Sequence, residues 1–287
     1  STSATVTPNI GYSYGKPLVV KTRAAGWVVL VTTGYNNGTG TGSSGGDGIG
    51  RVIVLNPTDG SVIATLSTGA GTTTAPSGLA HLSAFSQRPD LDPTIEAAYG
   101  GDLLGNVWRF DLSGATTSSW TVGLLARLRS STGDIQPVTT EPELGMIQNK
   151  RVIYVGAGQY LGDTDVPTTA TPPAGSMSAR TMSFYALRDD LSTTSTSTPQ
   201  ISGRGVMVSQ TVTKSTSTLD ITTNAVDFAS ASGWGWYLDL PDAGERLVTH
   251  PVLSGGAIVF TTNIPNSTDP CNPGGSSWLY FIDYATG

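Results

Sequence analysis

The chain repeats one pair of short apolar strands four times. The first member of each pair ends in small residues, and the second follows after a loop of variable length and ends in a polar turn. The first members read WVVLVTTG, EAAYGGD, RVIYVGAG and AIVFTTN, and the second members read RVIVLNPTDG, NVWRFDLSG, TMSFYALRDD and WLYFIDYATG. Such β-branched and aromatic runs, bounded by Gly, Asn, Asp and Pro, predict strands and turns. The apolar spacing of a long helix is missing, so the sequence predicts an all-β fold.

Further short strands accompany the pairs and indicate the architecture. KPLVVKT, QPVTTEPEL and RLVTHPVLS precede three of them, and SVIATLS follows the first. Three or four short antiparallel strands, repeated with loops of unequal length, are typical of propeller blades. One such blade cannot bury both of its faces alone, so neighbouring blades must stack. We therefore predict a β-propeller in which about four blade units are recognisable, forming a single domain over residues 1–287.

Long inserts separate the predicted strands, and the last unit ends early. The inserts are rich in Gly or in Ser, Thr and Pro, and such segments bury too little apolar surface to order themselves. They are predicted to be exposed, mobile loops on one face: Gly34–Gly50, Gly162–Ala179, Leu191–Gln200 and Thr213–Asp220. In the last unit DYATG stands where NPTDG precedes a further strand in the first. We predict a truncated final blade, whose outer strand either comes from the N-terminal segment or belongs to a longer propeller.

Charge and hydropathy exclude two classes of partner. Charged residues make up 13% of the chain and the net charge is -6, whereas phosphate binding needs clustered Lys and Arg. No nucleic acid partner is therefore expected. No apolar run approaches the roughly 20 residues that span a bilayer, so no membrane insertion is expected. The single cysteine, Cys271, can form neither an internal disulfide nor a zinc site. It is either a buried apolar residue or has a partner outside the chain.

Motifs that would indicate an enzyme are weak. Gly40–Gly45 matches GxGxxG, but a strand follows it, whereas a dinucleotide site needs a helix there. His81 and His250 lie far apart, and the chain has no GxSxG nucleophile turn. Glu141 and Glu143 could supply the paired carboxylates of a glycosidase, yet Pro142 between them fits an ordinary strand edge. We predict no enzymatic activity; the alternative is a propeller enzyme, either a quinone-dependent dehydrogenase or a glycosidase.

An acidic stretch before the second pair is the candidate metal site. Its members are Asp90, Asp92, Thr94 and Glu96, which alternate along the chain. Calcium prefers such hard oxygen ligands. The usual calcium loop also needs Gly at its sixth position, where this chain has Ile95. A solvated acidic turn leading into a strand is therefore the alternative interpretation.

Several phrases together resemble one family. They are GYSYGKPLVV, GYNNG, YGGDLLGNVWRFDLSG, QPVTTEPELG, YVGAGQYLGDTD, SFYALRD, GWYLDLPDAGERLVTHPVL and WLYFIDYATG. In this order they resemble the C-terminal β-propeller of the PilC/PilY proteins, the type IV pilus biogenesis and tip-adhesin family. The resemblance covers nearly the whole chain and implies a modified seven-bladed propeller. It also implies that the chain is the C-terminal region of a longer protein, because family members usually carry a larger N-terminal part.

The same resemblance implies a degenerate calcium loop. The family often has a DxDxDxxxD motif just before the strand that is here EAAYGGD. On that alignment Asp90 and Asp92 are two of the ligands, Thr94 supplies a carbonyl and Glu96 is the last ligand, with Ca²⁺ as the implied cofactor. Arg88 occupies the first ligand position and Pro93 replaces a glycine. Arg88 could instead form an ion pair with one of the three carboxylates and order the loop without a metal.

The function implied by the resemblance is that of a non-enzymatic pilus assembly factor and tip-associated adhesin. Its partners would be minor pilins and host or abiotic surface receptors. Its location would be extracellular, at the pilus tip or associated with the outer membrane. Binding residues tend to lie on loops held by a rigid scaffold. We therefore expect Tyr35 and Trp120 to form contacts, and Trp108 and Trp278 to be buried.

Overall fold

A computed structural model describes residues 9–39, 45–167, 171–266 and 274–287. In that part of the chain regular structure consists of β-strands and of single 3₁₀ turns at Thr117–Ser119, Asp163–Asp165, Met177–Ala179 and Arg204–Val206. Two compact units are present. The first contains Ser1–Arg127 with Ser192–Gln200, and the second contains Leu128–Leu191 with Ile201–Gly287. That the whole chain forms a single domain stays a prediction.

The first unit contains two four-stranded antiparallel sheets with strands in sequence order. One sheet contains β1 (Leu18–Thr22), β2 (Gly26–Thr32), β3 (Arg51–Leu55) and β4 (Val62–Ser67). The other contains β5 (Ser83–Phe85), β6 (Ala97–Gly101), β7 (Asn106–Asp111) and β8 (Thr121–Arg127). The first two predicted strand pairs are thus confirmed as β2–β3 and β6–β7. The sequence prediction missed β5 and β8.

The core of this unit lies between the two sheets. Alternate residues of β1 and β2 are buried, whereas β6 and β7 are buried on both faces almost throughout. Val28, Leu30, Val52 and Trp108 are among the residues of this core. Alternation in β1 and β2 indicates that one side of these strands faces solvent, and continuous burial of β6 and β7 indicates that these two strands are enclosed on both sides. The predicted burial of Trp108 is confirmed.

The second unit contains a five-stranded sheet, a three-stranded sheet and two hairpins. In the five-stranded sheet the order is β12 (Val208–Gln210), β15 (Gly235–Asp239), β11 (Ser183–Asp189), β10 (Lys150–Gly156) and β9 (Glu143–Ile147). The three-stranded sheet contains β16 (Val252–Ser254), β17 (Ala257–Thr261) and β20 (Leu279–Asp283). The hairpins pair β13 (Val212–Lys214) with β14 (Leu219–Ile221) and β18 (Ile264–Pro265) with β19 (Gly275–Ser276). The other two predicted pairs are confirmed as β10–β11 and β17–β20.

Aromatic side chains form the centre of the second unit's core. Phe184 of β11 stacks on Phe260 of β17 with ring centroids 4.2 Å apart, and Phe260 stacks on Tyr280 of β20 at 4.6 Å. All three side chains are buried. The column of rings therefore joins the five-stranded sheet to the three-stranded one. Aromatic pairs of this kind add roughly 0.5–1.5 kcal/mol beyond the area they bury.

The four strand pairs share one turn chemistry. Each second strand ends in, or is directly followed by, an Asn or Asp whose Oδ1 accepts the backbone N–H two residues later. These acceptors are Asn56, Asp111, Asp189 and Asp283, with N–O distances of 2.9, 3.0, 2.8 and 2.8 Å. A short side chain that bonds its own backbone in this way closes a turn. The polar residues that end each repeat are thus structural.

Two of the predicted inserts form backbone hydrogen bonds with strands or within a hairpin, and most of their residues are exposed, as predicted. Leu191–Gln200 lies along β8, because Leu124 N–H donates to Ser195 O and Gln200 N–H donates to Leu124 O. Arg109 of β7 also donates to the carbonyl of Thr193 in this insert. The bonds satisfy the edge of β8, which explains why so polar a segment is ordered.

The other insert of this kind lies in the second unit. Thr213–Asp220 spans most of the β13–β14 hairpin.

A third insert, Gly162–Ala179, is described outside residues 168–170. Its residue Asp165 is buried, and the Asp165 side chain accepts hydrogen bonds from Gln159 Nε2 and Leu161 N–H at 2.9 and 2.8 Å. Arg246, also buried, donates to the Asp165 carbonyl at 2.6 Å. These contacts fix the beginning of the insert to its unit. Cys271 and most of Gly40–Gly45 fall outside the described residues.

Candidate binding surface

The acidic stretch folds as a turn held mainly by backbone bonds. Arg88 O accepts the N–H groups of Leu91 and Asp92 at 3.0 and 2.8 Å. Asp92 Oδ1 accepts Thr94 N–H at 2.9 Å, and the hydrogen bonds from Thr94 lower the pKa of Asp92. The predicted ligand Asp92 is therefore the acceptor of a local turn.

The end of the turn docks on the first sheet of its own unit. Ile95 N–H donates to Lys21 O of β1 at 2.8 Å, and Thr94 forms an isolated parallel bridge with Lys21. Glu96 N–H donates to Phe85 O of β5. Across residues 9–39, 45–167, 171–266 and 274–287, no three His, Cys, Asp or Glu side chains lie together as a metal site would need. Asp90, Asp92, Thr94 and Glu96 in this arrangement do not fit Ca²⁺, and the calcium site inferred from the sequence is a hypothesis that calcium titration tests.

Residues considered for catalysis have structural roles here. His250 Nδ1 accepts the backbone N–H of Glu141 at 2.8 Å. Glu143 Oε1 accepts Leu253 N–H at 3.3 Å, and burial raises the pKa of Glu143. These contacts join the beginning of β9 and the residue Glu141 before it to β16 and the residue His250 before that strand, within the second unit. His250 and Glu143 therefore each accept a backbone hydrogen bond that stabilises the second unit.

A cluster of three tyrosines forms the most prominent exposed aromatic feature of the first unit. Tyr35 is only 5% exposed, whereas Tyr12 and Tyr14 are 48% and 71% exposed. The Tyr14 ring lies 6.0 Å from Tyr35 and 6.3 Å from Tyr12, centroid to centroid. The Tyr35 ring thus lies against that of Tyr14, and Tyr14 in turn lies against Tyr12. Burial raises the pKa of Tyr35 to about 12.

The backbone beneath these rings is fixed by paired hydrogen bonds. Tyr12 N–H donates to Tyr35 O at 2.7 Å, and Tyr35 N–H donates to Tyr12 O at 3.1 Å. Gly11 N–H also donates to Thr33 O, and Gly34 N–H donates to Leu79 O. The segment that carries Tyr12 is therefore an added short strand beside the end of β2. Its position does not depend on the exposed rings.

Glycines make this close approach feasible. A Cβ on Gly11 would lie 1.9 Å from Tyr35 O, and one on Gly15 would lie 1.7 Å from Ala80 O. Gly34 has a φ of +70°, and its Cβ would lie 2.1 Å from Tyr12 O. Only glycine fits where backbones approach so closely. The GYSYG and TTGY phrases of the sequence therefore specify this contact.

The loop beside the cluster is tied down by buried amide bonds. Asn37 is fully buried and donates its Nδ2 hydrogens to Asn9 O and Ile49 O at 3.2 and 3.0 Å. Arg51 of β3 forms a two-point ion pair with Asp47 at 2.8 and 2.5 Å, and this bond lowers the pKa of Asp47. Asn37, Gly38 and Thr39 match the tripeptide that accepts N-linked glycans. The Asn37 side-chain amide, however, is buried and hydrogen-bonded to two backbone carbonyls.

The expected contact residues were wrong in identity. Tyr35 and Trp120, predicted to contact partners, are both buried. Trp278, predicted to be buried, is half-buried, and its Nε1–H donates to Asp242 Oδ2 at 3.0 Å. The exposed side chains of Tyr12 and Tyr14 were not singled out from the sequence. Their alternation within GYSYG, between two glycines, is the signal that could have found them.

Comparison with known proteins identifies the family. A family model described as the PilY1 beta-propeller domain matches residues 2–225. The chain belongs to this family.

A solved structure supports the same fold. The crystal structure of the Pseudomonas aeruginosa PilY1 C-terminal domain superposes with a TM-score of 0.75 at 23% sequence identity, covering 98% of this chain and 60% of that one. At this identity the likeness concerns the fold. The predicted all-β propeller is therefore confirmed, as is the resemblance to the PilC/PilY family.

Curated relatives of the PilY1 family are much longer than this chain. A type IV pilus biogenesis factor PilY1 homolog of Xylella fastidiosa is 28% identical over an alignment of 305 residues, which covers 97% of this chain and 19% of the relative. The type IV pilus biogenesis factor PilY1 of Pseudomonas aeruginosa PAO1 is 28% identical over 329 residues, covering 98% and 26%. The chain thus spans about a fifth to a quarter of these proteins. Within the described residues, no helix has the length and apolar character to cross a membrane.

The phrase GDLLGNVW, which carried much of the PilY1-family resemblance, is built around one buried carboxylate. Asp102 accepts the backbone N–H groups of Leu104 and Asn106 at 3.0 and 2.9 Å. It also accepts side-chain bonds from Asn106 and Trp108 at 2.9 Å each and from Ser77 at 3.1 Å. Burial nevertheless raises the pKa of Asp102. Asp, Gly, Asn and Trp at this spacing therefore form one folded turn in this member of the family.

Proposed function

We propose that this chain is a non-enzymatic part of a type IV pilus assembly factor and presents Tyr12 and Tyr14 to a minor pilin. The carrying observation is the exposed tyrosine pair on a rigid support. Its relatives are named type IV pilus biogenesis factors, and the role of those whole proteins is part of the proposal. The site of action is the extracellular end of the pilus.

The energetic argument rests on preorganisation. Tyrosine is enriched among the residues that dominate protein interfaces, because a large ring buries much area and its hydroxyl stays polar. Binding also costs free energy when a mobile side chain or loop becomes ordered. Tyr12 and Tyr14 avoid much of that cost, because Gly11, Gly15 and Gly34 hold their backbone against neighbouring carbonyls.

The composition of the chain supports a protein partner for this surface. The net charge is -6 and only 13% of residues are charged, so long-range attraction to an anionic polymer is not available. An apolar and aromatic contact with a polar rim is typical of protein interfaces. Adhesion to a surface receptor through the same tyrosines would follow once the factor is at the pilus tip.

The test uses the full-length factor in its piliated host. We expect the double substitution Tyr12→Ala and Tyr14→Ala to reduce co-purification of minor pilins and the number of surface pili. Trp27→Ala is the matched control, because Trp27 is also an exposed aromatic residue of the first unit but lies on β2, outside the cluster. The factor must remain at wild-type abundance in both strains.

Three outcomes would count against the proposal. Normal pilin co-purification and piliation in the double mutant would remove Tyr12 and Tyr14 from the interface. Equal losses in the double mutant and in the Trp27→Ala control would indicate a general loss of the folded protein. Normal piliation with reduced surface attachment would assign the tyrosines to adhesion in place of assembly.

A further inference from the structure

The second unit has an open cavity of about 270 Å³ beside the β18–β19 hairpin. Tyr160 lines it from the segment that follows β10. Lining residues in or next to the hairpin include Asn263, Ile264, Pro265, Ser276 and Ser277. Sites for drug-sized ligands usually enclose roughly 300–1,000 Å³. This cavity is therefore of a size for one small molecule or one unit of a polymer.

Tyr160 lies on a backbone that is fixed on both sides. Asp165 is buried, and its carboxylate accepts hydrogen bonds from Gln159 Nε2 and Leu161 N–H at 2.9 and 2.8 Å. Gln159 and Leu161 are the two neighbours of Tyr160 in the chain. The Tyr160 side chain is itself 50% exposed. The segment therefore presents an exposed aromatic ring at a defined position beside the cavity.

One buried arginine holds both sides of the cavity. The Nη1 group of Arg246 donates to Gln159 O at 3.0 Å and to Asp165 O at 2.6 Å, and these bonds fix the segment that carries Tyr160. The backbone N–H of Arg246 donates to Asn263 O at 3.0 Å, and Arg246 O accepts Asn263 N–H at 2.8 Å. Both sides of the cavity are thus positioned before a ligand arrives, which lowers the ordering cost of binding.

The lining of the cavity indicates an uncharged ligand. Among the described residues that line it there is no Asp, Glu, Lys, Arg or His. Asn263, Ser276 and Ser277 carry an amide and two hydroxyls, which both donate and accept hydrogen bonds. Within residues 9–39, 45–167, 171–266 and 274–287, no hydrogen bond occupies these three side chains. The cavity thus combines an aromatic ring with unoccupied donors and acceptors.

A sugar ring matches this combination better than the alternatives. A pyranose has C–H groups on its faces, which can pack on an aromatic ring, and hydroxyls around its edge, which donate and accept hydrogen bonds. An apolar side chain of a peptide would displace water from Asn263, Ser276 and Ser277 without replacing their hydrogen bonds, and that is costly. A charged group would find no opposite charge in the lining.

We propose that this cavity binds one neutral pyranose unit of a glycan. Tyr160 packs against a C–H face of the sugar, and Asn263, Ser276 and Ser277 form hydrogen bonds with its hydroxyls. The site lies in the second unit, whereas Tyr12 and Tyr14 lie in the first. Sugar binding and the proposed pilin contact can therefore be tested separately.

The first test titrates the chain with the methyl glycosides of glucose, galactose and mannose, followed by NMR. We expect saturable millimolar binding of at least one of them. Binding should be at least about tenfold weaker in Tyr160→Ala and in Asn263→Ala, a loss of about 1.4 kcal/mol. Tyr14→Ala is the matched control and should bind like wild type, because Tyr14 is an exposed tyrosine of the first unit. Thermal melts check that each variant is folded.

The second test distinguishes a sugar site from adventitious contact. Glycerol has hydroxyls but no ring, methyl glucuronide adds a carboxylate to the same ring, and N-acetyl-leucinamide is an uncharged apolar peptide unit. We expect all three to bind more weakly than the best methyl glycoside. Binding of none of the three glycosides, or binding that survives both Tyr160→Ala and Asn263→Ala, would overturn the proposal. Glycerol or N-acetyl-leucinamide binding as tightly as the best glycoside would also overturn it.

Discussion

The indole N–H of Trp108 donates a 2.9 Å hydrogen bond to Asp102, six residues earlier across the β6–β7 turn. Both side chains are fully or almost fully buried. The bond therefore links the turn to the core of the first unit. Trp108 contributes apolar area to that core, and its one polar atom is satisfied by the carboxylate that closes the turn.

Replacing Asp102 by Ala should strongly destabilise the first unit. The change leaves two backbone and three side-chain donors without their acceptor. A buried unsatisfied donor costs about 1–3 kcal/mol, so we expect a loss of at least about 3 kcal/mol. Urea unfolding followed by tryptophan fluorescence measures it. Asp59→Ala, at an exposed turn of the same unit, is the control and should leave the midpoint nearly unchanged. Equal midpoints for the two variants would contradict the role of Asp102.

The strand pairs could be predicted because each is short, apolar and bounded by turn residues. The turn chemistry of Asn56, Asp111 and Asp283 is local, so the sequence contains all of it. The strand β12 could not be predicted, because it pairs in parallel with β15 and such pairing has no local signal. The short strand β5, Ser83–Phe85, is likewise stabilised by its neighbour β6 more than by its own residues.

The binding surface was only partly predictable, because exposure depends on contacts far away in sequence. Tyr35 follows a strand, so the sequence alone suggests an exposed loop residue. In the structure the ring of Tyr14 packs against it, and its backbone pairs with Tyr12, which lies 23 residues earlier in the chain. The insert Leu191–Gln200 has the composition of a mobile loop. Its backbone bonds to Leu124 order it, and a sequence pattern does not record such a partner.

Glu245 should make the second unit less stable as the pH rises. Burial raises its pKa in the folded protein above the ordinary value of 4.5. Between those two pKa values the folded state binds more protons than the unfolded state, so stability falls with increasing pH. The stabilisation is fully present below pH 4.5 and is lost as the pH passes through the folded pKa.

The substitution Glu245→Gln tests this predicted loss of stability with rising pH, because a glutamine side chain has no carboxyl group to titrate. The amide oxygen can still accept the hydroxyl bonds that Thr262 and Tyr280 now donate to Glu245 at 2.6 and 2.9 Å. We expect urea midpoints of the variant to decline less than those of wild type from pH 4.5 upward. Asp242 lies nearby, and hydrogen bonds from Lys214 and Trp278 lower its pKa. Because Asp242 titrates in both the wild type and the variant, its contribution to the pH dependence is the same in both curves. Parallel curves would contradict the assignment to Glu245.

Gly11→Ala should loosen the support of the exposed tyrosines. The added Cβ would lie 1.9 Å from Tyr35 O, so the Tyr12 segment must move and lose its paired bonds. Hydrogen exchange by NMR should show faster exchange at the Tyr12 and Tyr35 amides. Gly205→Ala is the control, because a Cβ there meets no atom within 4 Å. Unchanged exchange at both amides in Gly11→Ala would refute the close-packing argument.

Calcium should have little effect on the stability of this chain. The turn from Arg88 to Ile95 is closed by Asp92 and Thr94 and by the bond from Ile95 N–H to Lys21 O, and none of these contacts needs a cation. We therefore expect thermal melts in chelator and in calcium to coincide, and calorimetric titration to give no binding heat. Ligand binding to the folded state would raise the melting temperature in proportion to the free ligand. A rise with calcium that disappears in Asp90→Asn and Glu96→Gln would mean that these carboxylates rearrange into the predicted site. A rise that survives both substitutions would place the ion elsewhere on the chain.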